Sequence, residues 1–253
     1  MIRPIAILGS MDQEIRAIEA RLATPTEHVG QGRRYVSGTL LGVPAVTAIT
    51  GYGKVAAAGT VACVIHRFDP RAVIFGGVAG GIAPSVDIGD IVVADRLVQH
   101  DYDASPIFDR FVIPSLGVAE IPTDPDLVER LVRAATRYVE TRSQQEIRDI
   151  PQDLFDIRNL SVHTGLIASG DRFIDNVAEA RTLSGDLPGL LAVEMEGAAV
   201  AQICAEFDVP VAVFRSISDR ADHLADVNFL AFVTSVAAPI TAGVVEELVA
   251  DLN

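Results

Sequence analysis

Three carboxylates of this chain directly follow apolar runs of strand length, where an acid needs a particular reason to be. Glu194 and Glu196 come after Leu190 to Val193, and Asp219 comes after Pro210 to Arg215. Ligands of open α/β sheets bind where strands pass into helices, so acids at these ends indicate acid–base chemistry. The structural alternative is that both glutamates occupy a first helical turn, where the helix dipole stabilises carboxylates.

Two further charged residues are expected at the same edge of the sheet. Arg215 precedes Asp219 by four residues, so the two could neutralise one another. Glu14 follows the first strand-like run and falls in the first turn of a helix, for which Ser10 and Gln13 form a capping box. A lone Glu at such a place is usually structural, but its strand end should lie near the other strand ends.

Two glycine-rich turns follow other strand-like runs. The segment from Gly51 to Ala56 matches the dinucleotide fingerprint Gly-x-Gly-x-x-Ala, but it follows the third strand-like run, and Asp69 precedes the next strand instead of ending it. A nicotinamide-dependent oxidoreductase is therefore a minor alternative. The segment from Gly76 to Gly81 lacks the Lys-Ser/Thr ending of a P-loop. Its glycines either admit a ligand to the main chain or permit tight packing.

Apolar runs that alternate with helical patterns predict an α/β protein. The turn from Leu40 to Pro44 contains Gly and Pro and joins two of these runs as a hairpin, so the predicted sheet is mixed. The predicted strands are Ile5 to Leu8, Tyr35 to Leu40, Pro44 to Thr50, Ala72 to Gly76, Asp90 to Ala94, His163 to Ala168, Leu190 to Val193 and Pro210 to Arg215. The predicted helices are Met11 to Leu22, Val55 to Arg67, Asp126 to Glu140, Val177 to Leu183, Gly197 to Phe207 and Asn228 to Leu248.

Composition argues against several classes of partner. The 253 residues include 34 acids and 20 Lys and Arg, a formal net charge of −14, so nucleic acids and anionic membranes would be repelled. Cys63 and Cys204 each lie in an apolar helical pattern, which predicts reduced core thiols. Neither has a metal-ligand pattern around it. We therefore expect a soluble intracellular protein without a metal.

Three segments need a separate interpretation. The apolar run near the N-terminus is too short for a signal peptide, and Phe229 to Val245 is predicted to be a core helix kinked near Pro239, not a membrane span. The polar stretch from Thr141 to Asn159 is predicted to be a surface insertion. No repeat or linker divides the chain, which predicts one domain over residues 1–253.

Six short segments occur in order along the chain: Gly9-x-Met11-x-x-Glu14, Gly51-x-Gly53-Lys54-Val55-Ala56-Ala57, Ala79-Gly80-Gly81, Ser169-Gly170-Asp171-x-Phe173-Ile174, Val193-Glu194-Met195-Glu196 and Ile217-Ser218-Asp219. Together they resemble the bacterial methylthioadenosine/S-adenosylhomocysteine nucleosidases of the nucleoside phosphorylase/nucleosidase superfamily. The resemblance implies a single-domain, three-layer α/β/α fold with a mixed central sheet. It also implies a small-molecule nucleoside substrate, no cofactor, a cytoplasmic homodimer and a role in methionine salvage.

The resemblance further implies how the catalytic residues act on the bond between base and sugar. Asp219 would protonate the purine at N7, so that adenine leaves neutral. Glu14 would be the base that orients the attacking water, helped by Arg215. A segment of the partner subunit containing Phe108, Phe111 and Pro114 would add to the wall of the site.

The residues expected to bind the substrate follow from the same resemblance. Glu196, with Met195 beside it, would accept hydrogen bonds from both ribose hydroxyls, and Glu194 is grouped with them. Phe173 would stack on adenine and the Ile174 backbone would bind its edge. The remaining contacts would be the apolar walls Met11 and Phe229, with Val78 at the place of the nucleophile.

Val78 departs from the family pattern, in which a Ser usually stands at this place. The loss of that hydroxyl and the acids around Glu14 argue against a bound phosphate and so favour hydrolysis. A phosphorylase of the same superfamily remains one alternative, and a nucleoside-binding protein without turnover is another. Tyr52, where a smaller residue is common, leaves the 5′-substituent open.

Overall fold

An eleven-stranded mixed sheet organises the computed structural model, which describes residues 2–143, 155, 157, 159–221 and 229–252. The strand order is β2-β3-β4-β1-β5-β11-β6-β10-β9-β7-β8. The strands are β1 Ile5–Gly9, β2 Ala23–Gly30, β3 Arg33–Leu40, β4 Val43–Ile49, β5 Ala72–Phe75, β6 Val78–Gly81, β7 Ile91–Gln99, β8 Glu120–Pro122, β9 Val162–Ser169, β10 Leu190–Glu194 and β11 Val211–Asp219.

Helices cover both faces of this sheet. They are α1 Asp12–Glu19, α2 Lys54–Phe68, α3 Pro125–Tyr138, α4 Val177–Asp186, α5 Gly197–Glu206, α6 Phe229–Phe232 and α7 Ala238–Asp251, with π-helical turns at Val139–Ser143 and Val233–Ala237. Alternation along the strands makes the two faces: Ile5 and Ile7 of β1 pack with α1, α3 and α7, whereas Ala6 and Leu8 pack with α2 and α5. The three-layer α/β/α prediction is confirmed.

Five strands of the sheet form a closed ring. β11 pairs with β6, β6 with β10, β10 with β9 and β9 with β7, and β7 then pairs back to β11 through Ile91–Ala94. The long strands β7 and β11 make this possible, because each uses one half to pair with a different neighbour. The closed ring gives the strand ends at its rim fixed relative positions.

Most predicted elements are present, and the hairpin is confirmed. β3 and β4 are antiparallel with Leu40 opposite Val43, and Leu41 and Gly42 both have positive φ, as the two-residue turn requires. Three strands were not predicted. β2 is an exposed edge strand with no apolar alternation, β6 is the short Val-Ala-Gly-Gly run and β8 has three residues.

The C-terminal helical segment is a core element, as predicted. Among the described residues, Phe229–Asp251 is the one helical segment long and apolar enough to cross a membrane. Its most apolar stretch of 18 residues has a mean hydropathy of 1.7, and 61% of that stretch is buried inside the structure. Ile240, Val244 and Leu248 pack in the core with α3. The π-helical turn interrupts the segment just before Pro239.

One prediction about the segment from Thr141 to Asn159 is wrong where it can be checked. Much of this segment lies outside the described residues, but Phe155 and Ile157 are buried in the core beside α3 and α7. Phe155 meets Phe232 edge to face at 5.5 Å. The segment therefore contributes apolar anchors, and it is not purely a surface insertion.

Candidate active site

The carboxylates at the ends of β10 and β11 meet at one glycine. β10 runs antiparallel to β6 and pairs Val193 with Gly80, while β11 runs parallel to β6 and pairs Asp219 with Gly80. The predicted convergence is therefore confirmed, but the strands arrive from opposite directions and do not end at one edge of a parallel sheet. A Cβ at Gly80 would lie 2.9 Å from Asp219 Oδ1, so a larger residue here would displace the Asp219 carboxylate.

A cleft opens beside these strand ends and contains nearly all of the predicted site. Its walls include nine of the eleven predicted residues: Met11, Val78, Phe173, Ile174, Glu194, Met195, Glu196, Asp219 and Phe229. Glu14 and Arg215 are not among the lining residues, and each is almost fully buried.

Arg215 pairs with Glu194, so the expected neutralisation between Arg215 and Asp219 is wrong. Arg215 Nη2 donates to Glu194 Oε2 at 2.6 Å, and its Nη1 donates to the carbonyls of Phe75 and Phe214. The guanidinium carbon lies 4.1 Å from the centre of the Phe75 ring. A buried, multiply bonded guanidinium of this kind is a fixed positive charge.

Glu194 also holds the start of α5. Its carboxylate accepts hydrogen bonds from the amides of Glu196 and Gly197 and from the Ser169 hydroxyl. Both oxygens thus bind the protein's own donors. The geometry supports a positioning role for Glu194 in place of the substrate contact expected from the sequence.

Glu14 lies behind Met11 with one oxygen bound and one without a partner. Its Oε2 accepts a hydrogen bond from Met11 N at 3.2 Å, which replaces the predicted capping box of Ser10 and Gln13. The buried Oε1 has no hydrogen-bond partner among the described residues. Burial raises the pKa of Glu14 to about 7, although Arg215 acts in the opposite direction.

Glu196 caps α5 and reaches the glycine-rich turn before α2. Its Oε1 accepts a hydrogen bond from Gly53 N at 2.7 Å. Burial, and then the negative charge of Glu194, raise the pKa of Glu196 to about 7. The sequence element that matched a dinucleotide fingerprint thus binds a carboxylate of the chain itself.

Asp219 is held in place by residues next to it in the sequence. Its Oδ2 accepts a hydrogen bond from the Ser218 hydroxyl at 2.6 Å, and its Oδ1 accepts one from Ala221 N at 2.7 Å. These bonds fix the side chain at the wall of the cleft, where 6% of the residue is exposed.

Two aromatic rings form the apolar mouth of the cleft. Phe173 and Phe229 meet edge to face at 6.1 Å, and Phe173 is 45% exposed, so a planar ligand could stack on it. Ile174 beside it is buried. Tyr52 lines the same mouth and is largely exposed.

The loop that presents Phe173 is tied to the start of α2. Asp171 Oδ1 accepts a hydrogen bond from Lys54 N at 2.8 Å, and Asp171 N donates to Asp101 Oδ2. Lys54 Nζ closes the group by an ion pair with Asp101 at 2.5 Å. Burial raises the pKa of Asp101, but the bonds from Lys54 and Asp171 outweigh it and the net pKa is lowered.

Sequence reasoning missed the residues that position the acids. Ser169 links Glu194 to Ala198 N, Ser218 fixes Asp219, and Gly53 binds Glu196. Each stands in a segment that the sequence had marked, and a hydroxyl next to a strand-end acid was the available signal.

Cys63 and Cys204 are free, and burial raises the pKa of Cys204 to about 12. Over the described residues no group of three or more His, Cys, Asp or Glu is arranged to hold a metal.

An apolar slot with buried carboxylates around it is the arrangement of an enzyme that splits a planar base from a sugar. Residues 4–250 match the family model described as the phosphorylase superfamily. The chain belongs to this superfamily and, within it, to the 5′-methylthioadenosine/S-adenosylhomocysteine nucleosidase family.

Individual relatives agree with this membership. A nucleosidase of that name from Anoxybacillus flavithermus is 36% identical and covers 98% of this chain and 99% of its own length. The Neisseria meningitidis nucleosidase, solved with methylthio-immucillin-A, has a TM-score of 0.86 at 30% identity and covers 99% of this chain and 100% of its own. Futalosine hydrolase of Helicobacter pylori has a TM-score of 0.84 at 32% identity, with 99% of both chains covered.

Proposed function

We propose that the chain hydrolyses the N-glycosidic bond of 5′-modified adenine nucleosides, such as methylthioadenosine and S-adenosylhomocysteine, and releases adenine. One observation carries the proposal: Glu14, a buried carboxyl with one oxygen unpartnered among the described residues, is bonded to the backbone of Met11, which lines the same cleft as Asp219 and Glu196. Cleavage of a glycosidic bond needs an acid for the base and activated water for the sugar. Relatives with both names, nucleosidase and hydrolase, support this reading.

The reaction balances with these residues. Asp219 donates a proton to N7 of the purine, and the electron pair of the C1′–N9 bond moves onto the departing adenine. Water attacks C1′ and gives a proton to Glu14, whose raised pKa of about 7 suits a general base near neutral pH. Glu196 binds the ribose hydroxyls, and its negative charge favours the positive charge that develops on the sugar.

Arg215 has an indirect part in this proposal. Its bonds to Glu194 hold it in one orientation, so its charge bears on Glu14 without reorganising during the reaction. The same bonds leave it poorly placed to clamp a free dianion. Phosphate would also meet Glu14 at the nucleophile's position, so we favour water over phosphate.

Release of adenine in a phosphate-free buffer tests the proposal directly. Purified protein with methylthioadenosine should yield adenine and the free 5′-methylthio sugar, and added phosphate should not change the rate. Adenine that appears with phosphate alone would make the protein a phosphorylase. Tight binding by calorimetry with no adenine release would make it a nucleoside-binding protein.

The 5′-substituent is best decided by a panel of substrates. Methylthioadenosine, S-adenosylhomocysteine and futalosine should be compared by kcat/KM under one set of conditions. Tyr52 is the first residue to exchange, because it is exposed and lines the mouth of the cleft, where we expect the 5′-group to lie. Tyr52→Ile should change the ratios of kcat/KM among the three substrates more than it changes the three kcat/KM values added together.

We also propose that the protein acts as a homodimer in the cytoplasm, in methionine salvage. Large apolar side chains are exposed beside the cleft: Val55 follows Tyr52 by three residues, and Leu230 adjoins Phe229. Ile107 and Phe108, in the segment expected to reach a partner's site, are exposed as well. Light scattering on the purified protein should give twice the chain mass, and Val55→Lys should lower it.

A further inference from the structure

Two buried hydroxyls near the cleft have no hydrogen-bond partner among the described residues. They are Ser216 Oγ, in β11, and Thr241 Oγ1, in α7, and both residues are at most 1% exposed. Glu14 Oε1 is the third such atom in this part of the fold. Buried polar atoms are nearly always bonded to protein or to ordered water, so their occurrence together points to a polar subsite.

The sheet places all three groups on the same face. Gly9 and Gly76 follow the register pair Leu8 and Phe75 on the adjacent strands β1 and β5. A Cβ on Gly9 would lie 3.1 Å from Glu14 Oε2, and a Cβ on Gly76 would lie 2.7 Å from Thr241 Cγ2. Two neighbouring glycines thus leave room for Glu14 and Thr241 side by side.

Ser216 reaches the same face from the next strand. It lies two residues beyond Phe214, which packs in the core on the α7 side and touches the Cβ position of Gly76. Ser216 is also in register with Val78, which packs on this face and lines the cleft. Met11, whose backbone N binds Glu14, lines the cleft as well, so the polar subsite borders the cleft at Val78 and Met11.

We propose that Ser216 and Thr241 are positioning residues that hold water against the unpartnered oxygen of Glu14. The inference rests on the proposed hydrolysis, in which this water attacks C1′ as the C1′–N9 bond breaks and passes its proton to Glu14. The hydroxyls supply the hydrogen bonds that orient the water. Water held in this way is already oriented when the substrate enters the cleft.

Ser216→Ala and Thr241→Val remove the hydroxyls and keep the apolar packing. Each should lower kcat by about tenfold, the loss expected for one hydrogen bond to the nucleophile, with KM within about twofold of the wild type. Thr136→Val is the matched control, because the Thr136 hydroxyl donates to Val132 O in α3, away from the site. The control should retain the wild-type kcat.

Two readouts distinguish a water site from a merely structural role. Val78→Ser added to Ser216→Ala restores a hydroxyl from the paired strand position and should recover most of the lost kcat. In mixtures of water and methanol, Ser216→Ala should form more methyl glycoside than the wild type, because the held water no longer has an advantage. Wild-type kcat in both hydroxyl variants, or loss without rescue and with unchanged methanol partitioning, would overturn the proposal.

A crystal structure of the wild-type protein keeps this inference separate from the proposed function. A water within hydrogen-bonding distance of Glu14 Oε1 and Ser216 Oγ is expected, and it should be missing in Ser216→Ala. A subsite without water would overturn the inference even if adenine is released. Failure to release adenine would overturn the proposed function, whatever the crystal shows.

Discussion

Glu14→Gln separates two consequences of burying this carboxyl, one for stability and one for rate. In the folded protein the pKa of Glu14 is about 7, against an ordinary 4.5, chiefly because burial disfavours the charged form. Between these pH values the folded protein binds more protons than the unfolded chain, so the free energy of unfolding falls as pH rises. A shift of this size corresponds to roughly 3 kcal/mol, at about 1.4 kcal/mol per pKa unit.

Gln cannot ionise, so the variant escapes this loss. The free energy of unfolding of Glu14→Gln minus that of the wild type should grow by roughly 3 kcal/mol between about pH 4.5 and pH 8. Urea denaturation across this range measures the difference, and the titration of Glu196 largely cancels because both proteins contain it. Glu140→Gln, at an exposed position, should follow the wild type throughout. A difference that does not change with pH would refute the reasoning.

The rate provides the second half of the test. Wild-type hydrolysis should rise with pH through about 7 as Glu14 loses its proton. Glu14→Gln should lower kcat at least ~100-fold and abolish that limb of the profile. Stabilisation without loss of rate would mean that Glu14 is buried for another reason and that a different group activates the water.

Three further substitutions test the remaining roles. Asp219→Asn should abolish adenine release yet bind methylthioadenosine within about threefold of the wild-type KM by calorimetry, since the proton is needed for departure and not for substrate binding; retained turnover would contradict this. Glu196→Gln should weaken binding of methylthio-immucillin-A by about 10- to 100-fold, because a charged acceptor is lost from the ribose hydroxyls, and unchanged affinity would place the sugar elsewhere. Glu194→Gln should cost about 3–5 kcal/mol in urea denaturation, because it leaves the buried Arg215 charge unpaired; a loss below 1 kcal/mol would show that Arg215 finds another partner.

The sequence located the acids of the site because each lies close to an apolar run. Glu14, Glu196 and Asp219 are all within about five residues of a strand core, so a short stretch of sequence was enough to place each acid at the end of a strand. Phe173 and Ile174 could be assigned only through the family resemblance. Their own segment has no pattern that separates a ligand-binding loop from an ordinary one.

The spacing of residues in the sequence could not predict which carboxylate pairs with Arg215. Arg215 and Asp219 are four residues apart, but on an extended strand that spacing is about 13 Å, too far for an ion pair. The actual partner of Arg215 is Glu194 on β10, 21 residues earlier, and only the pairing of both strands with β6 brings them together. The glycine-rich strand β6 was itself unpredictable from propensity, since Gly disfavours strands.

The amino end of α2 shows how this fold treats anions. Free amides at the start of a helix bind phosphate, and a glycine-rich turn such as Gly51–Gly53 commonly precedes a site of this kind. Here Gly53 N is bound to Glu196 and Lys54 N to Asp171, so two side chains from distant parts of the sequence occupy the places that phosphate oxygens would take. A helix start that binds nucleotide phosphates in other proteins instead holds Glu196, the acid proposed to bind the sugar, in a fixed position.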